Sequence, residues 1–141
     1  MNEVELTKKL IEIESISGNE TEILDFLANF LRENSVKVWQ NEDFTAGILK
    51  IRTKGNEFSK SSQAVILTGH IDTVSAGDLQ AWEESPWKAT ETNGKIIGLG
   101  ASDMKGGLAA QFIAGLEFAK ENNFESNFDL WLVAVSNEEI D

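Results

Sequence analysis

One histidine occurs in the 141 residues, in the run Thr68-Gly69-His70-Ile71-Asp72-Thr73-Val74. Side chains of an extended chain alternate with period two, so His70 and Asp72 project to the same side. An imidazole beside a carboxylate suits a metal ligand whose ring is oriented by its neighbour. Other acids stand where they could join it. Asp103 lies in the glycine-rich run Gly98-Leu99-Gly100-Ala101-Ser102-Asp103-Met104-Lys105-Gly106-Gly107, and Glu138-Glu139 follow the apolar run Leu130 to Val135. An imidazole with several carboxylates and no thiol is a ligand set for zinc, or for manganese or cobalt. A carboxylate such as Asp103 can bridge two cations, which allows a two-metal site. Adjacent at a strand end, Glu138 and Glu139 are expected to point apart. One can then bind metal while the other acts as a general base toward a metal-activated water. Singly, each group has a plainer reading: His70 as a hydrogen-bonded structural residue, Asp103 as a helix N-cap, the glutamates as solvated acids.

These groups need elements that bring them together. Ala64 to Thr68 reads as a parallel strand covered on both faces, and Leu130 to Val135 as a second apolar strand. Between them, Leu108, Phe112 and Leu116 recur at i, i+4 and i+8 and predict a helix. Strand, helix and strand in that order imply a βαβ crossover and an α/β fold with a mostly parallel sheet. Open α/β sheets bind ligands outside the carboxyl ends of their strands, where His70, Asp72, Glu138 and Glu139 all fall.

The remainder is scaffold. Leu6, Leu10 and Ile13 predict a first helix; Ser17-Gly18-Asn19-Glu20 offers a break and a capping box before a second, which carries Ile23, Leu27, Phe30 and Leu31 and ends near Asn34. Val36 to Trp39 and Gly47 to Ile51 read as short strands, and 54–62 as a polar loop. A long loop, Ser75 to Ala89, holds Trp82, Trp87 and the only proline, Pro86, the tryptophans serving as packing anchors. Asn93-Gly94 marks a hairpin joining Ala89-Thr90-Glu91 to Lys95-Ile96-Ile97. The glycine-rich run lacks the spacing of either phosphate-binding fingerprint.

With 24 acidic against 12 basic residues, the net charge is −12, and no basic cluster suggests a nucleic-acid or anionic-membrane surface. Cysteine is absent, which excludes disulfides and thiolate metal sites. The acidic N-terminus is no signal peptide, and no apolar run approaches the ~20 residues that span a bilayer. A cytoplasmic protein is the expectation.

In order along the chain, Gly69-His70-Ile71-Asp72-Thr73-Val74, Trp82 with Ser85-Pro86-Trp87, Asn93-Gly94-Lys95-Ile96-Ile97-Gly98, the run Gly100 to Ala110 and Asn137-Glu138-Glu139 resemble the M20 family of metallopeptidases and amidohydrolases. Ser15-Ile16-Ser17-Gly18-Asn19-Glu20 resembles the family's opening helix-turn. The resemblance implies a zinc-exopeptidase-like catalytic domain, its mixed sheet flanked by helices. It makes His70, Asp103 and Glu139 metal ligands, with Asp103 bridging two zinc ions that cobalt or manganese can replace. It makes Glu138 the general base and Asp72 the carboxylate acting on the His70 ring, and it implies a cis peptide at Asp103-Met104. Leu99, Trp87 and Asn137 depart from residues frequent in the family, and none removes a ligand.

The implied reaction is hydrolysis of an amide in an N-acyl amino acid or short peptide. A non-catalytic binding domain on the same scaffold is the competing expectation. The family draws a further acidic ligand and a second histidine from later sequence, beyond a lid domain through which parents can form homodimers. Residues 1–141 are therefore expected to be the N-terminal portion of the catalytic domain, without lid or C-terminal half, and inactive alone.

Overall fold

The computed structural model describes residues 1–49, 63–121 and 128–140. Helix α1 (Glu3–Glu12) starts at Asn2, whose side chain accepts from the Glu5 amide at 2.8 Å while the Glu5 carboxylate takes the Asn2 amide at 2.9 Å. This reciprocal box satisfies amides that a first helical turn leaves unpaired. Helix α2 (Thr21–Glu33) buries Ile23, Leu24, Leu27, Ala28, Phe30 and Leu31, an apolar stripe at i, i+3 and i+4 spacing. The capping box expected across Ser17–Glu20 does not form. Glu20 occupies the cap position without a side-chain bond to the helix, because the Asn137 amide takes its carboxylate.

Four strands make the main sheet: β1 (Lys37–Gln40), β2 (Phe44–Leu49), β3 (Gln63–His70) and a later strand, Phe128–Val135. A separate two-stranded hairpin, β4 (Thr90–Thr92) and β5 (Lys95–Ile97), turns at Asn93 and Gly94, both at positive φ as a tight hairpin requires. Helix α3 (Gly106–Glu121) then crosses back to β6 (Phe128–Val135). The order is β1-β2-β6-β3, with β3 parallel to β6 and the other pairs antiparallel. The fold class is as expected, α/β with a mixed sheet flanked by helices, but the expectation of a mostly parallel sheet fails. Among the described strands of the main sheet only β3 and β6 run parallel, because β1 and β2 form an antiparallel hairpin that adds antiparallel to β6.

Helices α2 and α3 form one layer on the sheet, with α1 against α3. A Cβ on Gly47 would meet Leu31 of α2, and one on Gly115 of α3 would meet Leu132. Gly47 and Leu132 are register partners, so α2 and α3 share a face of the sheet, and α1 packs on α3. Leu6, Leu10, Leu27, Leu31, Leu108, Phe112 and Leu132 fill the space between the layers. The opposite face carries Trp39 and Trp131, stacked with centroids 5.7 Å apart, and Ile66.

Strand β3 departs from the expectation of cover on both faces. It lies at the edge of the described sheet, and Val65 and Ile66 are 42% and 59% exposed. Only its carboxyl end, Gly69 and His70, is buried. The central strand is β6, which alternates buried and half-buried residues between two neighbours. Within the long loop after β3, a short turn of 3-10 helix (Leu79–Ala81) follows Asp78, and the Trp82 indole anchors the loop by donating to the Ala76 carbonyl at 3.0 Å. The predicted polar loop at 54–62 and the end of the second predicted strand lie outside the described residues. Among the described residues, no helix is long and apolar enough to cross a membrane.

Candidate metal centre

The parallel strands β3 and β6 end side by side, His70 in register with Val135. Beyond them, Ile71, Asp72 and Thr73 run buried beneath the Ser15–Ser17 segment. Backbone bonds Thr73 to Ser15 (2.9 Å) and Ser17 to Thr73 (3.2 Å), with the Ser15 hydroxyl on the Ile71 carbonyl (2.7 Å), hold that crossing. It fixes the His70 ring. Nδ1 lies 3.1 Å from the Asp72 carbonyl oxygen, which can only accept, so Nδ1 carries a proton. The other nitrogen, Nε2, lies 2.9 Å from Asp103 Oδ1 and 3.9 Å from Glu138 Oε2.

In a neutral ring, Nε2 would thus aim a lone pair at a carboxylate oxygen. A proton or a metal cation between them resolves the conflict, so the donor set fits a divalent ion. Burial draws the His70 pKa down, but the Asp103 hydrogen bond, the Asp72 carbonyl and the charges of Asp72 and Glu138 outweigh it, and the pKa rises above 6.5.

His70, Glu138 and Glu139 each offer one ligand atom, all within 4.8 Å of one another. The glutamates therefore converge, where period-two alternation predicted divergence. The reason is that β6 ends at Val135 and both acids lie beyond it, past an Asn137 at φ 61. Alternation holds only in extended chain.

Asp103 reaches the ring from a five-residue turn, Ala101–Lys105, that precedes α3 and contains the expected cis bond between Asp103 and Met104. The Met104 side chain seats under Gly69, where a Cβ would come within 2.7 Å of it. Asp103 itself is 77% exposed at the rim, whereas His70 is 7% exposed. Lys105 is buried and donates to the Leu10 and Ile13 carbonyls at 2.8 and 2.9 Å, fastening the turn to the end of α1. Burial lowers its pKa to about 8.

Asp72 does more than face the imidazole. Its Oδ1 lies 3.5 Å from His70 Nδ1, while Oδ2 accepts from the Glu139 amide (2.9 Å) and the Ser17 hydroxyl (2.7 Å). Burial works to raise its pKa, but these bonds and one from the Glu138 amide lower it overall. Sequence reading missed Ser17, Glu20 and Lys105 as parts of this region. Ser17 and Glu20 carry the pattern of a capping box, which the structure puts to another use; Lys105 carries no signal, since a lysine in sequence reads as solvated.

Residues 66–141 match the profile of peptidase family M20/M25/M40. The chain belongs to this family. Among relatives of the M20 chain, succinyl-diaminopimelate desuccinylase of Orientia tsutsugamushi (strain Ikeda) is 33% identical over 120 residues, covering 85% of this chain and 30% of that protein. An M20 metallo-carboxypeptidase from Sulfolobus solfataricus superposes with a TM-score of 0.82 at 22% identity, over 99% of this chain and 32% of the other. A dinuclear metal binding peptidase of the M20 family from Bacillus subtilis gives 0.64 at 15%, over 98% and 35%. The last two show a shared fold. The chain spans about a third of the length of the curated relatives it matches.

Proposed function

We propose that this chain is part of a metal-dependent hydrolase cleaving the amide bond of an N-acyl amino acid or short peptide. The observation that carries the reading is the convergence of the His70, Glu138 and Glu139 ligand atoms within 4.8 Å of one another, with Asp103 against the same ring nitrogen. His70, Asp103 and Glu139 would hold the metal, two zinc ions in the complete site; cobalt or manganese could replace zinc. A bound divalent ion supplies Lewis acidity, acidifying a water and polarising the scissile carbonyl. Glu138, 59% exposed at the rim, receives the proton of the attacking water and returns it to the leaving amine. Asp72 holds the His70 ring through its carbonyl oxygen and Glu139 through the backbone amide. The relatives named as desuccinylases favour an N-succinyl amino acid over a peptide.

Residues 1–141 act, in this reading, as the N-terminal portion of a catalytic domain that draws further ligands from sequence elsewhere in the protein. Three features support this: the coverage of a third of each relative, the single histidine, and a sheet face bearing Trp39, Trp131 and Ile66 without a helix layer among the described residues. The test compares the 141-residue chain with the whole protein that contains it, following succinate or acetate release from N-acyl amino acids with added zinc or cobalt. The whole protein should be active and chelator-sensitive, the shorter chain inactive. A whole protein that binds no stoichiometric metal and is indifferent to His70→Ala and Glu138→Ala would instead be a binding domain.

A further inference from the structure

The two acids on which the proposed chemistry depends stand on a segment without regular structure, residues 136–140. Such a segment places side chains well only if its backbone is held from outside. The amides on either side of Glu138 are both held by carboxylates remote in sequence. Asn137 donates to Glu20 Oε1 at 3.1 Å, and Glu139 donates to Asp72 Oδ2 at 2.9 Å. Glu20 is 5% exposed and Asp72 is fully buried. Upstream, the Ser136 amide and hydroxyl both donate to the Asp43 carbonyl at 3.0 Å.

Glu20 is in an unusual position for an acid. It precedes the first turn of α2, where a carboxylate ordinarily bonds to helix amides, yet it forgoes that role for an amide 117 residues away. Asn137 sits at φ 61°, the left-handed region that asparagine adopts more readily than most residues, and the bond to Glu20 fixes the amide of that turn in place. Ser17, in the same turn as Glu20, donates to the Asp72 oxygen that holds Glu139. The short connection between α1 and α2 thus supplies one clamp directly, through Glu20, and steadies the other, Asp72, through Ser17.

We propose that Ser17 and Glu20 are positioning residues for the site, fixing the 136–140 segment so that Glu138 and Glu139 converge on His70. The assignment rests on the roles proposed above for the two glutamates, and it concerns how they are held. A bond from an amide to a carboxylate is about twice as strong as one between neutral groups, which suits a clamp on a segment with no lattice of its own.

The test uses the metal-free whole protein that contains this chain and its Glu20→Ala, Glu20→Gln, Ser17→Ala and Ser17→Thr variants. Amide hydrogen exchange, resolved by residue with NMR, reads the clamp directly, and cobalt titration of the same chains by visible absorption reads its consequence. Glu20→Ala should speed exchange at Asn137 by about tenfold or more, as losing a bond to a charged group implies, and leave Leu132 in β6 unchanged. Ser17→Ala should do the same at Glu139 to a smaller extent. Glu20→Gln and Ser17→Thr keep an acceptor and a donor in place and should restore protection. Cobalt affinity should weaken in the alanine variants in the same order. Unchanged Asn137 exchange in Glu20→Ala, uniformly faster exchange through β6, or a glutamine variant that behaves like alanine would each overturn the proposal. Wild-type whole protein that binds no cobalt would overturn the metal reading instead, with the exchange results still deciding the clamp.

Discussion

His70 is committed on both sides of its ring: Nδ1 gives its proton to a carbonyl, and Nε2 faces a carboxylate. The raised pKa follows, and it makes the proton a strong competitor for metal. Metal affinity should decline as pH is lowered through the raised value, beginning above 6.5, as isothermal calorimetry across that range would show. The stability linkage has the matching sign. With a folded pKa above the unfolded one, His70 contributes stability fully present below 6.5 and lost as pH rises through the folded value. Asp72 runs oppositely, its contribution holding at neutral pH and disappearing as acid titrates it through its lowered value. In the whole protein, Glu138→Ala should cut turnover about 10²–10⁴-fold while leaving metal stoichiometry intact, since its proposed part is proton transfer. Loss of metal along with activity would make Glu138 a ligand. His70, Asp72 and the glutamates were legible as residue types at strand ends. Ser17 and Glu20, which bond Asp72 and the Asn137 amide, were not, because a contact spanning 55 or 117 positions leaves no local pattern.

The turn that carries Asp103 is held by packing and by one buried cation. A Cβ on Gly106 would come within 2.6 Å of the Ala101 carbonyl oxygen, a backbone atom that cannot swing aside. Gly106→Ala should therefore destabilise the chain by about 1–3 kcal/mol, measurable by urea unfolding, and displace Asp103 from His70. A variant as stable as wild type would mean that the turn yields. Lys105 sets a pH dependence of its own. Its folded pKa of about 8 lies below the unfolded value, so the unfolded chain binds more protons between the two. Stability should then rise with pH from about 8 toward about 10.4, by about 3 kcal/mol, and Lys105→Met should flatten that limb. Helices α1 to α3 and the hairpin at Asn93-Gly94 were readable from apolar period and turn chemistry. The first cap was not: the box that forms is Asn2 with Glu5, while Ser17–Glu20 has the same pattern and another use. Capping chemistry is local, and a distant amide outcompeted it.

Among the described residues, one face of the sheet is covered by helices and the other has no helix layer. Helices cover the sheet on the Leu130 and Leu132 face, whereas the other shows the stacked Trp39 and Trp131, and the outer strand β3 leaves Val65 and Ile66 exposed. An apolar edge strand invites pairing with another chain. The isolated 141-residue chain should self-associate with rising concentration, and Ile66→Lys should reduce this, as sedimentation velocity would show. A strictly monomeric wild-type chain would contradict the expectation. The apolar run Ala64 to Leu67 suggests a covered strand, and among the described residues β3 is instead an edge. Hydrophobic content records that a strand is meant for burial; it does not record which segment buries it.

Residue type and period were enough to establish an α/β chain with histidine and carboxylates at the carboxyl ends of two parallel strands, because apolar repeats and turn residues act over a few positions. They could not reveal that Glu138 and Glu139 converge, that Glu20 and Asp72 grip the amides on either side of Glu138, or that Lys105 lies buried against the end of α1. Those depend on which distant segments the fold brings into contact, and only packing in three dimensions sets that.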